Sequence, residues 1–288
     1  MKTLVLCNHK GGVSKTALAT LLAHYFHSRC GLRVLTIDLD HQANFGMALQ
    51  KSGRVAVAAC SSDTLLTGTA LAGALPAQRF VLVPAGQALL GLERQESLRS
   101  RFAQGFRDSL QCADPAFDLC IVDTNPNPDI RMISAVASSD FVLAPIQLNQ
   151  EAMEGVSSLL NHERVGLRRI KAALNPKLQL VGLLPALVEA TPFQKANFLQ
   201  VAEKYMGLLI PIGDRPGHFA SIPKRSCIAE AQASGELLWE MKKTAARDAW
   251  QEIEPSIACI ARLMVPGIAA SPPLARQPEL QHGEASAG

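Results

Sequence analysis

The chain is poor in aromatic residues, which make up 5% of its 288 positions, yet hydrophobic types reach 48%. That balance suits a Val/Leu/Ala-rich interior of helices on a parallel sheet better than an all-β sandwich. Paired cysteines are lacking: no two of Cys7, Cys30, Cys60, Cys112, Cys120, Cys227 and Cys259 form Cys-x-x-Cys, and their number is odd. This argues against metal or iron–sulfur ligation and for reduced thiols. Cys7 and Cys120 lie inside apolar runs, where a thiol behaves as a small hydrophobe. No uncharged apolar stretch of about 18 residues occurs, and the opening run is too short for a signal-peptide core. The expectation is a cytoplasmic protein with no membrane partner. Strong net charge is also missing. At +3 it does not imply nucleic-acid binding by itself, so a basic surface must come from local clusters.

What the sequence does contain is a series of short, continuously apolar runs bounded by turn or charged residues. They are 2–7, 33–38, 80–84, 117–123, 140–146, 179–184 and 208–212. Continuous rather than alternating hydrophobicity marks strands covered on both faces. Between them, 16–30, 87–110, 150–173, 192–206 and 226–264 carry helical spacing, and Gly31 is placed to stop the first of these. The alternation predicts an α/β fold: a doubly wound, mostly parallel sheet with helices on both faces. No linker divides residues 1–264, which read as one domain; 265–288, rich in Pro, Ala, Gly and Ser, read as a disordered tail.

Residues 8–17, NHKGGVSKTA, follow the first strand and open the first helix. Gly11 and Gly12 allow successive N–H groups to point inward as an anion nest, and the helix terminus adds to the field. Lys15 can reach phosphates, and Thr16 offers a hydroxyl to Mg²⁺. The loop departs from Gly-x-x-x-x-Gly-Lys-Ser/Thr, because His9 and Ser14 replace its glycines and a second lysine, Lys10, precedes Lys15. Asp38 and Asp40 end the second strand, and Asp123 ends the strand at 117–123. In doubly wound sheets ligands bind at the carboxyl ends of strands, so these acids and the loop should converge as a metal and water site.

The segments KGGVSKT, IDLDHQAN and CIVDTNPNPD, in this order, resemble the deviant Walker A, A′ and B segments of the ParA/MinD family of ATPases. DFVLAPIQLNQEAMEGVSSLL and IPKRSCIAEAQASG are similar to later segments of the ParA branch, so the likeness spans residues 1–264 in outline. The resemblance implies a deviant P-loop NTPase that uses ATP and Mg²⁺. It implies that Lys10, Gly11, Gly12, Val13, Ser14, Lys15, Thr16 and Ala17 cradle the nucleotide and that Pro223 lies near the adenine. It makes Lys10 a lysine that crosses a dimer interface to the partner's phosphates, acting like an arginine finger. Lys15 matches the phosphate lysine, Thr16 the Mg²⁺ ligand and Asp40 the residue positioning the attacking water. Asp38 would support the Mg²⁺ shell, and Asp123 would act through metal-bound water. Four positions depart from the family pattern: Ser14 for a glycine, Ala17 for a threonine, Asn125 for a proline, and Cys227 for an arginine found in many relatives.

By the same resemblance, the ATP state is a homodimer that binds duplex DNA without sequence preference and gathers on the nucleoid. A ParB-like centromere-binding protein would trigger hydrolysis and release. Candidate DNA contacts are Arg164, Arg168, Arg169 and Lys171, with the pairs Lys224–Arg225 and Lys242–Lys243. No helix–turn–helix segment precedes the ATPase core, which argues against operator reading. Two other readings remain open. A MinD-like membrane-positioning ATPase would need an amphipathic anchor; 246–264 has the spacing, but Pro255 interrupts it and few basic residues flank it. An ATP-dependent metabolic enzyme, such as a carboxylate-activating ligase, would have no evident use for Lys10.

Overall fold

The computed structural model describes residues 1–68, 73–92 and 95–267; the expected tail lies, from residue 268 onward, outside them. Its strands are β1 (Lys2–Leu6), β2 (Val34–Asp38), β3 (Ala56–Val57), β4 (Phe80–Val83), β5 (Leu119–Asp123), β6 (Phe141–Gln147), β7 (Gln179–Val188) and β8 (Ile222–Pro223). They form one sheet in the order β3-β4-β2-β5-β1-β6-β7-β8, and every pairing between these strands is parallel. The helices are α1 (Lys15–His24), α2 (Asn44–Lys51), α3 (Ser62–Thr67), α4 (Leu89–Leu92), α5 (Arg99–Ala113), α6 (Ile130–Ser138), α7 (Ala152–Asn161), α8 (Leu167–Ala173), α9 (Pro192–Tyr205), α10 (Ser226–Ser234) and α11 (Thr244–Met264).

Alternate residues of each central strand feed two separate cores, as the two-residue period of a strand requires. In β1, Leu4 and Leu6 join Phe45, Trp250 and Ile257 on the face covered by α1, α2, α10 and α11. Val5 joins Phe106, Ile133 and Leu159 on the face covered by α3, α5, α6, α7 and α9. Both faces are buried, which is why the strands read as unbroken apolar runs. The chain leaves β1 toward β2 on one side and continues through β6 on the other. Loops after β1, β2 and β5 therefore meet at one edge, at the switch point of the topology.

Several sequence expectations need correction. Residues 208–212 form no strand: Leu209 and Pro211 make only isolated bridges, and Pro211 has no N–H to give a ladder. The 150–173 helix is broken after Asn161, where His162 turns to ψ 129°. The 226–264 stretch is two helices. Gly235, at φ +79°, ends α10 where a Cβ would come within 2.4 Å of the Lys51 backbone, so two helix ends can meet only at a glycine. The 87–110 stretch contains α4, a short 3₁₀ turn and the start of α5. Pro255 does not interrupt α11, which runs through it.

Trp250, Ile253, Ile257, Ile260 and Met264 of α11 are all buried against the sheet, so this stripe is core rather than anchor. No helix among the described residues is long and apolar enough to cross a membrane. Removing a buried side chain from this stripe should be costly: Ile257→Ala is expected to lower unfolding free energy by about 2–5 kcal/mol, measured by urea denaturation. A loss below about 1 kcal/mol would mean that α11 is not part of the folded core.

Candidate functional site

The loop after β1 is tied down before it reaches its glycines. Asn8 Nδ2 donates to the Pro145 carbonyl at 2.6 Å, and Asn8 Oδ1 accepts from the Lys10 N–H at 2.9 Å. Gly12 takes φ +74° and Ser14 φ +64°, ψ +26°, both left-handed. Ser14 thus occupies the conformation that a glycine adopts freely, and its Cβ makes that cost roughly 1–2 kcal/mol. The loop therefore accepts the substitution under strain, of the kind stored at functional sites.

An open cleft of about 720 Å³ lies over this loop. It is lined by residues 11–17, Asp40–Gln42 and Thr124–Asn127, among others. Lys15 is buried at 7% exposure and donates from Nζ to the Lys10 carbonyl at 3.1 Å. Burial holds its pKa below the usual lysine range, against the pull of Asp123. The Thr16 hydroxyl donates to Asp123 Oδ2 at 2.7 Å. Asp123 Oδ1 is buried and has no partner among the described residues. A hydroxyl and an orphaned carboxylate oxygen beside an anion nest are the hard oxygen donors that suit Mg²⁺.

Asp38 sits beside Asp123, directly across β2 and β5. Its role in the fold is distinct: Oδ1 accepts from the Asp40 N–H at 3.0 Å and Oδ2 from the Gly46 N–H at 2.8 Å. Asp38 therefore braces the 40–46 turn from below, while Asp40 lines the cleft. Burial pushes Asp38 up to about 6. Burial and the neighbouring Asp38 charge push Asp123 up to about 8, against the Thr16 hydroxyl and Lys15.

Lys10 leaves the loop in the other direction. Its Nζ meets Glu151 Oε2 at 2.5 Å and the Glu151 carbonyl at 3.2 Å, just before α7, and its stem passes over Gly155. Lys10 does not line the cleft that Lys15 lines. His9, packed against Ser158 and His162, is lowered to about 4, chiefly by burial.

Pro223 lines a second cavity of about 140 Å³ that shares Ser14, Ala17, Ala229 and Gln232 with the first. Leu187, at φ +55°, sits on its wall, a feature no sequence signal announced. The basic candidates separate into two groups. Lys224, Arg225 and Lys243 are ion-paired with Glu189, Glu252 and Glu230. Arg164, Arg168, Arg169 and Lys171 are exposed and have no ion pair among the described residues, and Arg168 donates to Asn161 Oδ1 at 2.8 Å. Lys242 is also exposed. Residues that sequence reasoning missed include Glu151, Asp129 and the fully buried Arg131. Their partnerships are tertiary; only Asp129, two positions before Arg131 at a helix start, offered a local capping signal.

The raised carboxylates make one contribution to the pH response of the ligand-free protein; buried His9 and His24, lowered to about 4 and about 3, make the opposite one between those values and about 6.5. A carboxyl whose folded pKa exceeds its unfolded value binds more protons when folded, so stability falls as pH rises from the unfolded to the folded value. For Asp38 that window is about 4 to 6, and Asp123 extends it to about 8. Asp123→Asn should therefore raise the thermal midpoint of ligand-free protein increasingly from pH 5 to pH 8. A pH-independent effect, by calorimetry, would contradict the assignment.

Residues 1–180 match a family model described as an AAA domain. The chain is 33% identical over 271 residues to Protein IncC of Escherichia coli, covering 88% of this chain and 67% of that one. It is 30% identical over 239 residues to the chromosome-partitioning ATPase Soj of Thermus thermophilus, covering 83% and 87%. Among solved structures, apo McdA of Cyanothece aligns with a TM-score of 0.70 at 20% identity, covering 91% and 99%. Cobyrinic acid a,c-diamide synthase of Mycobacterium smegmatis, solved with ADP and magnesium, aligns at 0.66 and 24%, covering 96% and 100%. These two share the fold. With the family model and the two curated relatives, the loop, the carboxylates and the sheet order lead to one assignment: the chain belongs to the ParA-type partition ATPase family.

Proposed function

We propose that this partition ATPase is a nucleotide-gated dimer switch: residues 1–264 act as one domain that binds ATP with Mg²⁺, pairs with a second copy, and in that state holds non-specific duplex DNA. The observation that carries the reading is the divergence of two lysines on one loop. Lys15 turns into the cleft, and Lys10 turns away from it to Glu151. A lysine that does not serve its own phosphate site is available to another subunit's. There its ammonium would meet the negative charge developing on the transferred phosphoryl group.

Thr16 and Asp123 would hold Mg²⁺, which neutralises phosphate oxygens when bound. Lys15 and the N–H groups of the loop hold the phosphates, and Asp40 orients the attacking water. Asp38 supports this shell by fixing the turn that carries Asp40. The adjoining cavity, with Pro223 and Leu187 on its walls, takes the adenine. For Lys10 to act across the interface its contact with Glu151 must open, so dimer formation and the release of Lys10 are one event.

Relatives named for chromosome partitioning point to DNA cargo, and we assign the DNA surface to Arg164, Arg168, Arg169 and Lys171, which have no ion pair among the described residues. Lys224, Arg225 and Lys243 spend theirs on neighbouring glutamates; Lys242 adds to the field. The ATP state would collect on bulk DNA, and a ParB-like partner would stimulate hydrolysis and release. The apolar stripe of α11 is taken up by the core, which favours this over a MinD-like reading with that helix as anchor. The partition relatives favour it over a metabolic enzyme.

Two measurements test the proposal. Light scattering should show a dimer with ATP and a monomer with ADP. Lys10→Ala should bind ATP within about twofold of wild type yet stay monomeric; a normal ATP dimer in that variant would refute the trans role. Retention on non-specific duplex DNA should require ATP and weaken with salt, and Arg164→Glu with Arg168→Glu should reduce it at least about tenfold. Equal retention with ATP, with ADP and without nucleotide would contradict the DNA assignment.

A further inference from the structure

Asn125 stands two residues after Asp123, where the family pattern has proline, and it is almost fully buried at 1% exposure. Its Nδ2 donates to Asp129 Oδ2 at 2.9 Å. A carboxylate only accepts, so this contact fixes the amide with its NH₂ toward Asp129 and its oxygen away. That oxygen, Oδ1, has no hydrogen-bond partner among the described residues. Asn125 nonetheless lines the cleft shared by Gly11, Lys15, Thr16 and Asp40, although Oδ1 itself is closed to solvent in the ligand-free protein. A buried acceptor without a donor is costly, and a proline side chain would avoid the cost altogether.

The support behind Asn125 is built with care. Asp129 caps α6, accepting from the Arg131 N–H at 2.9 Å on Oδ1. The fully buried Arg131 guanidinium grips both oxygens of Asp129, with Nε at 3.2 and 3.0 Å and Nη2 also on Oδ2. Its Nη1 faces the Leu89 carbonyl and His41 Nδ1, each at 3.4 Å. His41 follows Asp40, and its ring lies 3.5 Å from the Asp40 carboxylate. One guanidinium thus ties the loop after β5 to the loop after β2, both of which line the cleft.

We propose that in the ATP-bound state Asn125 Oδ1 becomes a second acceptor for the attacking water, working with Asp40, and that Asp129 and Arg131 are positioning residues that aim it. The inference rests on the reading of this site as one that hydrolyses ATP. The water donates one hydrogen to the Asp40 carboxylate and the other to Asn125 Oδ1, which leaves an oxygen lone pair directed at the γ-phosphorus. As the new P–O bond forms, the bond from γ-phosphorus to the bridging oxygen breaks and its electron pair leaves with ADP. One water proton passes through Asp40 to the phosphate produced. An amide oxygen is too weak a base to take a proton; it only orients.

The test uses the full chain and measures ATP affinity, kcat and thermal midpoint together. Asn125→Leu should bind ATP within about twofold of wild type, keep or raise the thermal midpoint, and lose at least about tenfold in kcat, because a misaligned water costs rate rather than binding. Asn125→Ser, which keeps an oxygen acceptor, should retain several times the kcat of the leucine variant. Asp129→Asn, which no longer fixes the amide, should lower kcat alone but add almost nothing in combination with Asn125→Leu. Leucine-variant turnover within twofold of wild type, or losses of affinity and kcat in equal measure, would overturn the proposal. If wild type itself shows no turnover, the reading of the site fails; if wild type turns over and the leucine variant matches it, only the role of Asn125 fails.

Discussion

A buried ammonium needs anions around it and an exposed one does not; the loop after β1 places one lysine in each situation. Lys15 lies inward, near Asp123 and Asp40, which offset its desolvation only in part. Lys10 lies outward on a glutamate that water already screens. On the proposed reading, the inward lysine serves the ligand of its own chain. The outward one is held loosely enough to be transferred, since exposed ion pairs are weak. Fold and site both serve this divergence: Asn8 anchors the loop to β6, and Gly12 and Ser14 turn the backbone so that the two side chains part.

The carboxylates form the complementary half of the site. Asp38 and Asp123 are neighbours across two buried strands, and two such groups cannot both stay charged without a cation close by. Asp38 meets this by accepting two backbone N–H groups. Asp123 meets it only in part, through the Thr16 hydroxyl and the nearby Lys15 ammonium, and keeps one buried oxygen without a donor among the described residues. The ligand-free protein is therefore held in a state that a metal–nucleotide complex would relieve. That is a physical reason for ligand binding to order the walls of the cleft.

Much of this was legible in the sequence. The central strands announced themselves because both faces are buried, and the loop with its three strand-end acids announced the cleft. β3 and β8, of two residues each, are too short to leave a pattern. α6, eight of whose nine residues are buried, offers only about two and a half turns of pattern between the apolar runs at 117–123 and 140–146. The helix break at Gly235 depends on where the Lys51 backbone lies, and no local pattern reports that. The Lys10–Glu151 contact joins residues 141 positions apart, and the Arg131–His41 contact spans 90. Such pairs exist only once the sheet has brought its loops to one edge.

Mixed dimers test the central claim most directly. Lys15→Ala should fail to hold its own ATP but still offer Lys10, whereas Lys10→Ala should hold ATP but offer nothing across the interface. If Lys10 acts in trans, mixing the two inactive variants should rebuild one working site per mixed dimer and restore a measurable share of ATP turnover. If mixing restores nothing while both variants remain folded and able to pair with wild-type subunits, Lys10 acts on its own chain and the account is wrong.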